Sequence, residues 1–291
     1  MGTLEVVRTL LQAGPQPDIA AINERNHTAL MLAARLDTPS VVASLLEAGA
    51  AVDATMGDGW TALMLAAHDG CLPTVRVLLS KKACVNTVAA DGWTPLLSAI
   101  DAPDPSEELV RLLLGAGADP AGVGGRTAPL YLAAEVGATA VVTALLAATP
   151  PAPLEATAAD GSTAVMVAAQ NGHATTLKVL QDAGARADAM RMLDDGNSGL
   201  HLAVVYDHLE AVRTLIGSPT VDVAAAIANG YCSLHLAAER ATTGALKLLL
   251  AAGAPVGATT PDGTTALHLA AAAGEIQSLD ALLEAEAGDT L

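Results

Sequence analysis

A short motif recurs along almost the whole chain at a nearly constant spacing. Its best-preserved copies are Asp58-Gly59-Trp60-Thr61 and Asp91-Gly92-Trp93-Thr94, each followed by an apolar run. The Thr, Ser or Cys that ends each copy stands at Thr28, Thr61, Thr94, Thr127, Thr163, Ser198, Cys232 and Thr265. The steps between these positions are 33, 33, 33, 36, 35, 34 and 33 residues. This period predicts a repeat array, in which a unit buries its apolar face only by stacking on its neighbours.

Each copy of the motif begins a pair of apolar segments with helical spacing. In the second unit, Thr61 is placed to cap an inner helix that contains Ala66-Ala67, and the segment 75–79 fills an outer helix with branched side chains. In the third unit, Asp104 is predicted to cap the outer helix, with Pro105 at its first helical position. Short helices with small residues at their contacts are therefore expected throughout.

The composition bounds the class of protein. Over half of the 291 residues are apolar, yet Phe is absent and only two Trp and three Tyr occur. No window offers about 18 consecutive apolar residues without a charge or a helix breaker, so no transmembrane span is predicted. The first residues do not form a secretory signal, because Glu5 and Arg8 interrupt them.

The charge and the cysteines indicate partners and compartment. The formal net charge is -17, from 14 Lys and Arg against 31 Asp and Glu. A field of this sign argues against nucleic acid as a partner and leaves a basic protein segment or simple solubility as explanations. Three cysteines without a CxxC pair fit a reducing compartment, so we expect the cytoplasm, with the nucleus as the alternative.

The units resemble ankyrin repeats. The family pattern D-x-x-G-x-T-P-L-H-L-A-A is met best by the segment 262–271, which reads DGTTALHLAA. The resemblance implies an all-α ankyrin-repeat solenoid of stacked helix-turn-helix units, with short β-hairpin or turn fingers. One domain over residues 1–291 is expected, with a half repeat at 1–21. The repeats that follow are predicted at 22–54, 55–87, 88–121, 122–156, 157–189, 190–224, 225–258 and 259–291.

The resemblance also implies where a partner binds. Members of this family usually bind other proteins through the fingertips and the concave inner-helix surface. The family's variable contact positions are the residue after the turn glycine and the two residues after the inner Ala-Ala pair. Four of the five aromatic residues of this chain fall at such positions. The predicted partner-binding residues are His27, Trp60, His68, Asp69, Trp93, Asp101, Arg126, Glu135, Tyr206 and Tyr231.

Two interpretations of the tryptophans stay open, and they are compatible with each other. Trp and Tyr are enriched at binding hot spots, which favours contact with a partner. Alternatively, Trp60 packs on Leu65 and Trp93 on Ser98 as hydrophobic staples, or the two fingers pack on each other.

His201, His235 and His268 occupy a position at which the family uses histidine for structural hydrogen bonds.

The sequence predicts a non-catalytic scaffold or adaptor that binds another protein. The alternatives are a regulatory inhibitor that masks a basic segment of its target, and the targeting portion of a larger multidomain protein. No catalytic, metal or cofactor site is expected, because no nucleophile with its base, phosphate loop or metal-ligand spacing is present. No membrane partner is expected, and the chain is predicted to be a monomer in the absence of its partner.

Overall fold

The computed structural model describes residues 18–122, 128–186 and 196–289, together with Glu5 and Thr9. These residues contain 16 helices, which alternate between an inner and an outer helix. The inner helices are α1 (Ala29–Arg35), α3 (Ala62–His68), α5 (Pro95–Ile100), α7 (Pro129–Glu135), α9 (Ala164–Gln170), α11 (Gly199–Val205), α13 (Ser233–Glu239) and α15 (Ala266–Ala273). The outer helices are α2 (Pro39–Glu47), α4 (Leu72–Ser80), α6 (Glu107–Gly115), α8 (Thr139–Leu146), α10 (Ala174–Asp182), α12 (Leu209–Ile216), α14 (Thr243–Ala251) and α16 (Ile276–Asp289). The predicted succession of helix pairs is therefore confirmed.

The contacts divide the chain into two compact units. The first unit comprises Met1–Ala133 with Thr143–Pro153, and the second comprises Ala134–Val142 with Leu154–Leu291. In the first, α1, α3 and α5 stack in order, with α2, α4 and α6 behind them. In the second, α9, α11, α13 and α15 stack likewise, with α10, α12, α14 and α16 behind them. The predicted repeat boundaries stay a prediction, and most of the half repeat at 1–21 lies outside the described residues.

Small and large apolar residues together make the core of each helix pair, and the inner helices carry both kinds. Ala66 and Ala67 are completely buried, so that α3 approaches its neighbours closely. Leu78 and Leu113, on the outer helices α4 and α6, are also completely buried. Full burial of such a side chain stabilises the fold by about 1.5–3 kcal/mol. The core therefore grows along each unit by repetition of the same contacts.

The inner helices begin where the motif predicts. The hydroxyl of Thr61 accepts a hydrogen bond from the backbone N–H of Met64 at 3.3 Å, and Thr28, Thr94 and Thr163 make the same bond in their own repeats. The cap predicted at Asp104 is wrong. Helix α6 begins at Glu107 and is capped by Ser106, whose hydroxyl accepts from the N–H of Leu109.

Five of the described fingers between the helix pairs are turns closed by a single antiparallel bridge. Such bridges join Ile22 to Thr28 and Thr55 to Thr61 in the first unit, and the described residues contain no strand pairing that extends beyond a single bridge.

Within the described parts of the chain, no helix is long and apolar enough to cross a membrane.

Candidate partner-binding site

Two neighbouring fingers of the first unit place Trp60 and Trp93 side by side. In each finger, an aspartate two residues earlier accepts a hydrogen bond from the tryptophan backbone N–H, at 3.1 Å for Asp58 and 3.2 Å for Asp91. The fingers are tied together by the N–H of Ala90, which donates to the carbonyl of Asp58 at 2.8 Å. The sequence folds this way because aspartate readily hydrogen-bonds to the backbone two residues further on.

Gly59 allows the two fingers to approach. Its φ is +89°, and a Cβ at this position would lie only 3.1 Å from the Cα of Ala89. A larger residue would therefore strain the turn and push the next finger away. The repeated glycine of the motif thus sets the spacing at which the two tryptophan rings meet.

The tryptophan rings touch each other and are half-buried. Their centroids lie 6.3 Å apart with the planes inclined by 41°. Packing between neighbouring fingers, one of the two interpretations of these residues, is therefore present. Trp60 and Leu65 border the same cavity, whereas Ser98 donates its hydroxyl to the Thr94 carbonyl. Because each ring keeps part of its surface in solvent, packing does not prevent contact with a partner.

A chain of polar contacts runs across the end of α3 beside Trp60. Arg35 Nε donates to Asp69 Oδ2 at 3.0 Å, and His68 Nδ1 lies 3.1 Å from Asp69 Oδ1. The His68 ring meets the Trp60 ring edge to face, with centroids 6.3 Å apart and an interplanar angle of 74°. The rotamers of all four side chains are thereby restricted, which lowers the entropy lost when a partner binds.

The charge state of Asp69 is set by these neighbours. Burial by itself raises the pKa of Asp69, but the hydrogen bonds from His68 and Arg35 outweigh that effect and hold the pKa below its ordinary value of 3.8. Asp69 is therefore ionised at neutral pH. Its negative charge offsets the positive charge of Arg35. This part of the surface is therefore polar but carries little net charge.

These side chains surround one cavity of about 290 Å³. The lining residues are His27, Arg35, Met56, Asp58, Trp60, Leu65, His68 and Asp69. Small-molecule sites usually measure about 300–1,000 Å³. The cavity lies at the lower end of that range, which suits a single side chain of a partner. We call His27, Trp60, His68 and Trp93 the aromatic cluster.

The structure brings together only some of the predicted site residues. His27, Trp60, His68 and Asp69 line the cavity, Trp93 lies against Trp60, and Asp101 is exposed and does not line it. Arg126 lies outside the described residues. The remaining three belong to the second unit and do not line this cavity. These three are Glu135, Tyr206 and Tyr231.

The second-unit residues have separate surroundings. Tyr206 is 52% exposed, and its ring stacks on His208 at 6.4 Å. Tyr231 is half-buried with its ring 5.6 Å from His235. Glu135 is exposed, and its backbone carbonyl accepts from Asn171 and lies 3.0 Å from His173 Nε2. The contacts of Tyr206 and Tyr231 are therefore local to their own repeats.

Arg35 is the principal residue that the sequence-based selection omitted. It is separated from Asp69 by 34 residues, which is one repeat period plus one position, and the two charges are opposite. Opposite charges at that spacing indicate an ion pair between neighbouring repeats. Met56, Asp58 and Leu65 also line the cavity. Asp58 belongs to the recurring motif and Leu65 is the expected staple partner of Trp60, but neither lies at a variable contact position.

Two buried histidines of the inner helices, His201 and His235, have structural roles. The backbone N–H and hydroxyl of Ser198 lie 3.2 and 2.7 Å from His201 Nδ1, and His201 Nε2 lies 3.1 Å from the carbonyl of Ala225 in the next finger. His235 makes the corresponding contacts with Cys232 and with the carbonyl of Ala258. Since Nδ1 accepts from a backbone N–H, the ring proton resides on Nε2. These rings join consecutive repeats.

Comparisons with known proteins agree with this architecture. A family model described as "Ankyrin repeats (3 copies)" matches residues 30–123, 130–226 and 220–290. The crystal structure of the ankyrin repeat domain of Bcl-3, described as a member of the IkappaB protein family, superposes with a TM-score of 0.67 and 29% identity. That match covers 78% of this chain and 99% of the Bcl-3 chain.

Curated relatives match over a shorter stretch. The mouse nuclear factor NF-kappa-B p105 subunit is 33% identical over 126 residues, which are 43% of this chain and 13% of that protein. Human neurogenic locus notch homolog protein 2 is 35% identical over 124 residues, which are 43% of this chain and 5% of that protein. Repeats with such relatives support a protein–protein interaction domain. With the helix pairs, their caps and the family match in agreement, the chain belongs to the ankyrin repeat family.

Proposed function

We propose that this chain is a non-catalytic scaffold or adaptor, whose partner protein inserts a side chain at the aromatic cluster. The observation that supports this most is the pair Trp60 and Trp93, the only tryptophans among 291 residues. They meet beside a cavity of side-chain size, and both are only half-buried, so that part of each ring is accessible. Aromatic anchors surrounded by ordered polar groups are typical of the energetically dominant part of an interface.

Catalysis is not part of the proposal. The described pair closest to a catalytic arrangement is Cys232 with His235, whose Sγ and Nδ1 lie 3.0 Å apart. Both residues are buried, and Nδ1 already accepts the backbone N–H of Cys232. A substrate cannot reach this thiol, and its geometry serves as a helix cap. Within the described residues, no group of three or more potential ligands could hold a metal ion.

The proposal is tested by affinity capture with three baits. The baits are the wild-type chain, Trp60→Ala with Trp93→Ala, and a control with Arg111→Ala and Lys178→Ala. The two control residues lie on outer helices with side chains 59% and 66% exposed. Captured proteins are quantified by mass spectrometry. We expect at least one protein that is retained by the wild type and the control but lost from the tryptophan variant.

The same variants separate binding from packing. If the tryptophan variant melts at a lower temperature but retains every captured protein, the rings only pack the fingers together and the proposal is rejected. Retained folding is checked by far-UV circular dichroism. A variant that is folded and has lost one captured protein supports the aromatic cluster as the contact.

A second candidate function is the masking of a basic segment of a target protein. It is favoured by the net charge of -17, and one similar structure belongs to a domain described as a member of the IkappaB family. Binding of this kind weakens steeply with salt, because screening reduces attraction between the opposite charges. A captured partner whose affinity does not change with salt excludes it.

The remaining parts of the proposal concern compartment and assembly. Three free cysteines, Cys71, Cys84 and Cys232, are consistent with a reducing compartment, so we propose the cytoplasm, with the nucleus as the alternative. We also propose that the chain is a monomer in the absence of its partner. Sedimentation velocity over a range of concentrations measures the assembly state directly.

A further inference from the structure

Two neighbouring outer helices of the second unit, α10 and α12, border a cavity that the proposed function does not use. The helices pack on each other, and the cavity between them has a volume of about 520 Å³. Side chains that can donate hydrogen bonds predominate in its lining, and they are Thr175, Lys178, Gln181, Arg213, Thr214 and Ser218. The cavity is therefore suited to a group that accepts hydrogen bonds.

Two cations line this cavity in a chain that is otherwise strongly acidic. They are Lys178 and Arg213, and the one carboxylate in the lining is Asp182. Lys178 Nζ lies 2.9 Å from Asp182 Oδ1, and Arg213 Nε lies 3.5 Å from Glu210 Oε1. All four side chains are more than half exposed, so that these ion pairs contribute little and are readily exchanged. Both cations can thus turn toward a more highly charged anion.

Gln181 adds a buried donor that lacks an acceptor. Its Nε2 atom is buried and has no hydrogen-bond partner among the residues that the structure describes. Buried polar groups are almost always paired, because an unpaired donor destabilises the folded state. Since Gln181 lines the cavity, a group with several oxygen atoms in this space is placed to supply the acceptor.

Ser218 brings a reactive hydroxyl to the edge of the same cavity. It follows Gly217, the C-cap of α12, and precedes the exposed Pro219. The backbone N–H of Val221 donates to the Ser218 carbonyl at 3.3 Å, so that Ser218 and Pro219 begin a turn. The Ser218 hydroxyl caps no helix and lies 3.0 Å from the hydroxyl of Thr220. It is therefore available for modification.

A serine or threonine followed by proline is the pair that proline-directed protein kinases modify. The chain has five such pairs, which begin at Thr38, Thr94, Thr149, Ser218 and Thr260. Thr94 and Thr260 are buried, and the Thr38 hydroxyl donates to the carbonyl of Ala33. These three hydroxyls are therefore occupied or inaccessible.

Thr149 is exposed, but its surroundings differ from those of Ser218. Its cavity is lined by one cation, Arg111, which lies 2.7 Å from Glu107, and by the carboxylate of Asp119. The charges in that lining cancel, whereas Lys178 and Arg213 exceed the single carboxylate beside Ser218. Ser218 is thus the accessible pair whose surroundings favour a phosphate.

We propose that Ser218 is a phosphorylation site, and that its phosphate is held in this cavity by Arg213, Lys178 and the Gln181 amide. In a kinase active site, Ser218 Oγ attacks the γ-phosphorus of ATP and loses its proton to the base of the kinase. The bond from that phosphorus to the β,γ-bridging oxygen breaks, and ADP leaves.

The phosphate joins two neighbouring repeats. It carries a charge of about −1.5 to −2 at pH 7, so it attracts the two cations more strongly than a single carboxylate does. The phosphate then connects α12 to α10 and stabilises the contact between their repeats. This inference goes beyond the proposed function and does not depend on the aromatic cluster, which lies in the first unit.

The first experiment tests the modification itself. The full chain is incubated with ATP and a proline-directed kinase, and phosphorylated residues are mapped by mass spectrometry. We expect phosphate on Ser218, and at least about tenfold slower modification of this residue in Pro219→Ala. A Ser218 without phosphate, or equally fast modification of a folded Pro219→Ala variant, overturns the assignment.

The second experiment tests whether the cavity holds the phosphate. The full chain is produced with phosphoserine in place of Ser218 and titrated by phosphorus NMR. The second pKa of a phosphoserine is ordinarily about 6, and the cations should lower it by about 0.5 units or more in the folded chain but not in urea. Arg213→Gln should remove a large part of this shift. The control Arg240→Gln removes the same charge from an exposed residue outside the cavity and should retain the shift.

Equal pKa values in the folded and the unfolded chain overturn the proposed contacts. They are also overturned if Arg213→Gln and Arg240→Gln have equal effects, because the phosphate then responds to the overall charge alone. Trp60→Ala with Trp93→Ala should leave the phosphoserine pKa unchanged. Failure of the partner-binding proposal and failure of this one are therefore observed separately.

Discussion

Gly137 shows how closely neighbouring repeats fit, and its substitution should destabilise the second unit. Gly137 follows α7 with a φ of +71°, and a Cβ there would lie 2.5 Å from Nδ1 of His173 in the next repeat. The same histidine has its Nε2 3.0 Å from the carbonyl of Glu135. Gly137→Ala should therefore strain the backbone, displace the His173 ring and weaken its hydrogen bond with the carbonyl of Glu135.

Gly70 is a matched control from which the loss of stability in Gly137→Ala can be worked out. Gly70 occupies the same position after α3, with a φ of +70°, and a Cβ there would meet nothing within 4 Å. Gly70→Ala should thus lose only the cost of the left-handed backbone, about 1–2 kcal/mol. Gly137→Ala should lose a further ~1–3 kcal/mol from the overlap with His173. The difference between the two substitutions isolates the contact between repeats.

Urea unfolding followed by far-UV circular dichroism measures both variants. Trp60 and Trp93 lie in the first unit, so tryptophan emission marks the unfolding of that unit separately. In the double variant Gly137→Ala with His173→Ala, the overlap is removed, and the combined loss should be smaller than the sum of the single losses by about 1 kcal/mol or more. Equal effects at Gly70 and Gly137, or strictly additive effects in the cycle, would refute the reasoning.

Three further outcomes are expected. Thr61→Ala should lower the free energy of unfolding by about 1 kcal/mol through loss of the cap, whereas Thr61→Ser should retain most of it; urea titration compares them. Cys232→Ser should stay within about 0.5 kcal/mol of the wild type, because Ser198 makes the same contact with its histidine, and a drop similar to that of Cys232→Ala would contradict this. The folded-state pKa of Asp69 lies below 3.8, so its ionic contacts stabilise the fold above that pH and are lost as the pH falls through the folded-state pKa. The destabilisation by Asp69→Asn should accordingly be larger at neutral pH than in acid, and an unchanged difference in the midpoints of urea unfolding would count against it.

The fold could be predicted from the sequence because each repeat encodes the same local structure. Thr61 in the motif specifies a helix start, and the structure has the cap there. Asp104 misled the prediction, because Asp-Pro is a good helix start in isolation, whereas in the structure the helix begins at Glu107 and Ser106 provides the cap.

The candidate site could be predicted only in part. The variable position before the cap identified Trp60 and Trp93, and the structure puts their rings in contact. The charges and spacing of Arg35 and Asp69 indicate their ion pair, but the cavity beside it depends on the lateral offset between two repeats, which the period alone does not give.

The most direct test of the central proposal observes the two tryptophans while a partner binds. The chain is labelled with 5-fluorotryptophan, which gives one fluorine NMR signal for each of its two tryptophans, and Trp60→Phe assigns them. The protein captured by the wild type and lost by the tryptophan variant is then added without label. The proposal predicts that both signals shift or broaden as the complex forms. Unchanged signals in a sample that sedimentation shows to be fully complexed would contradict it.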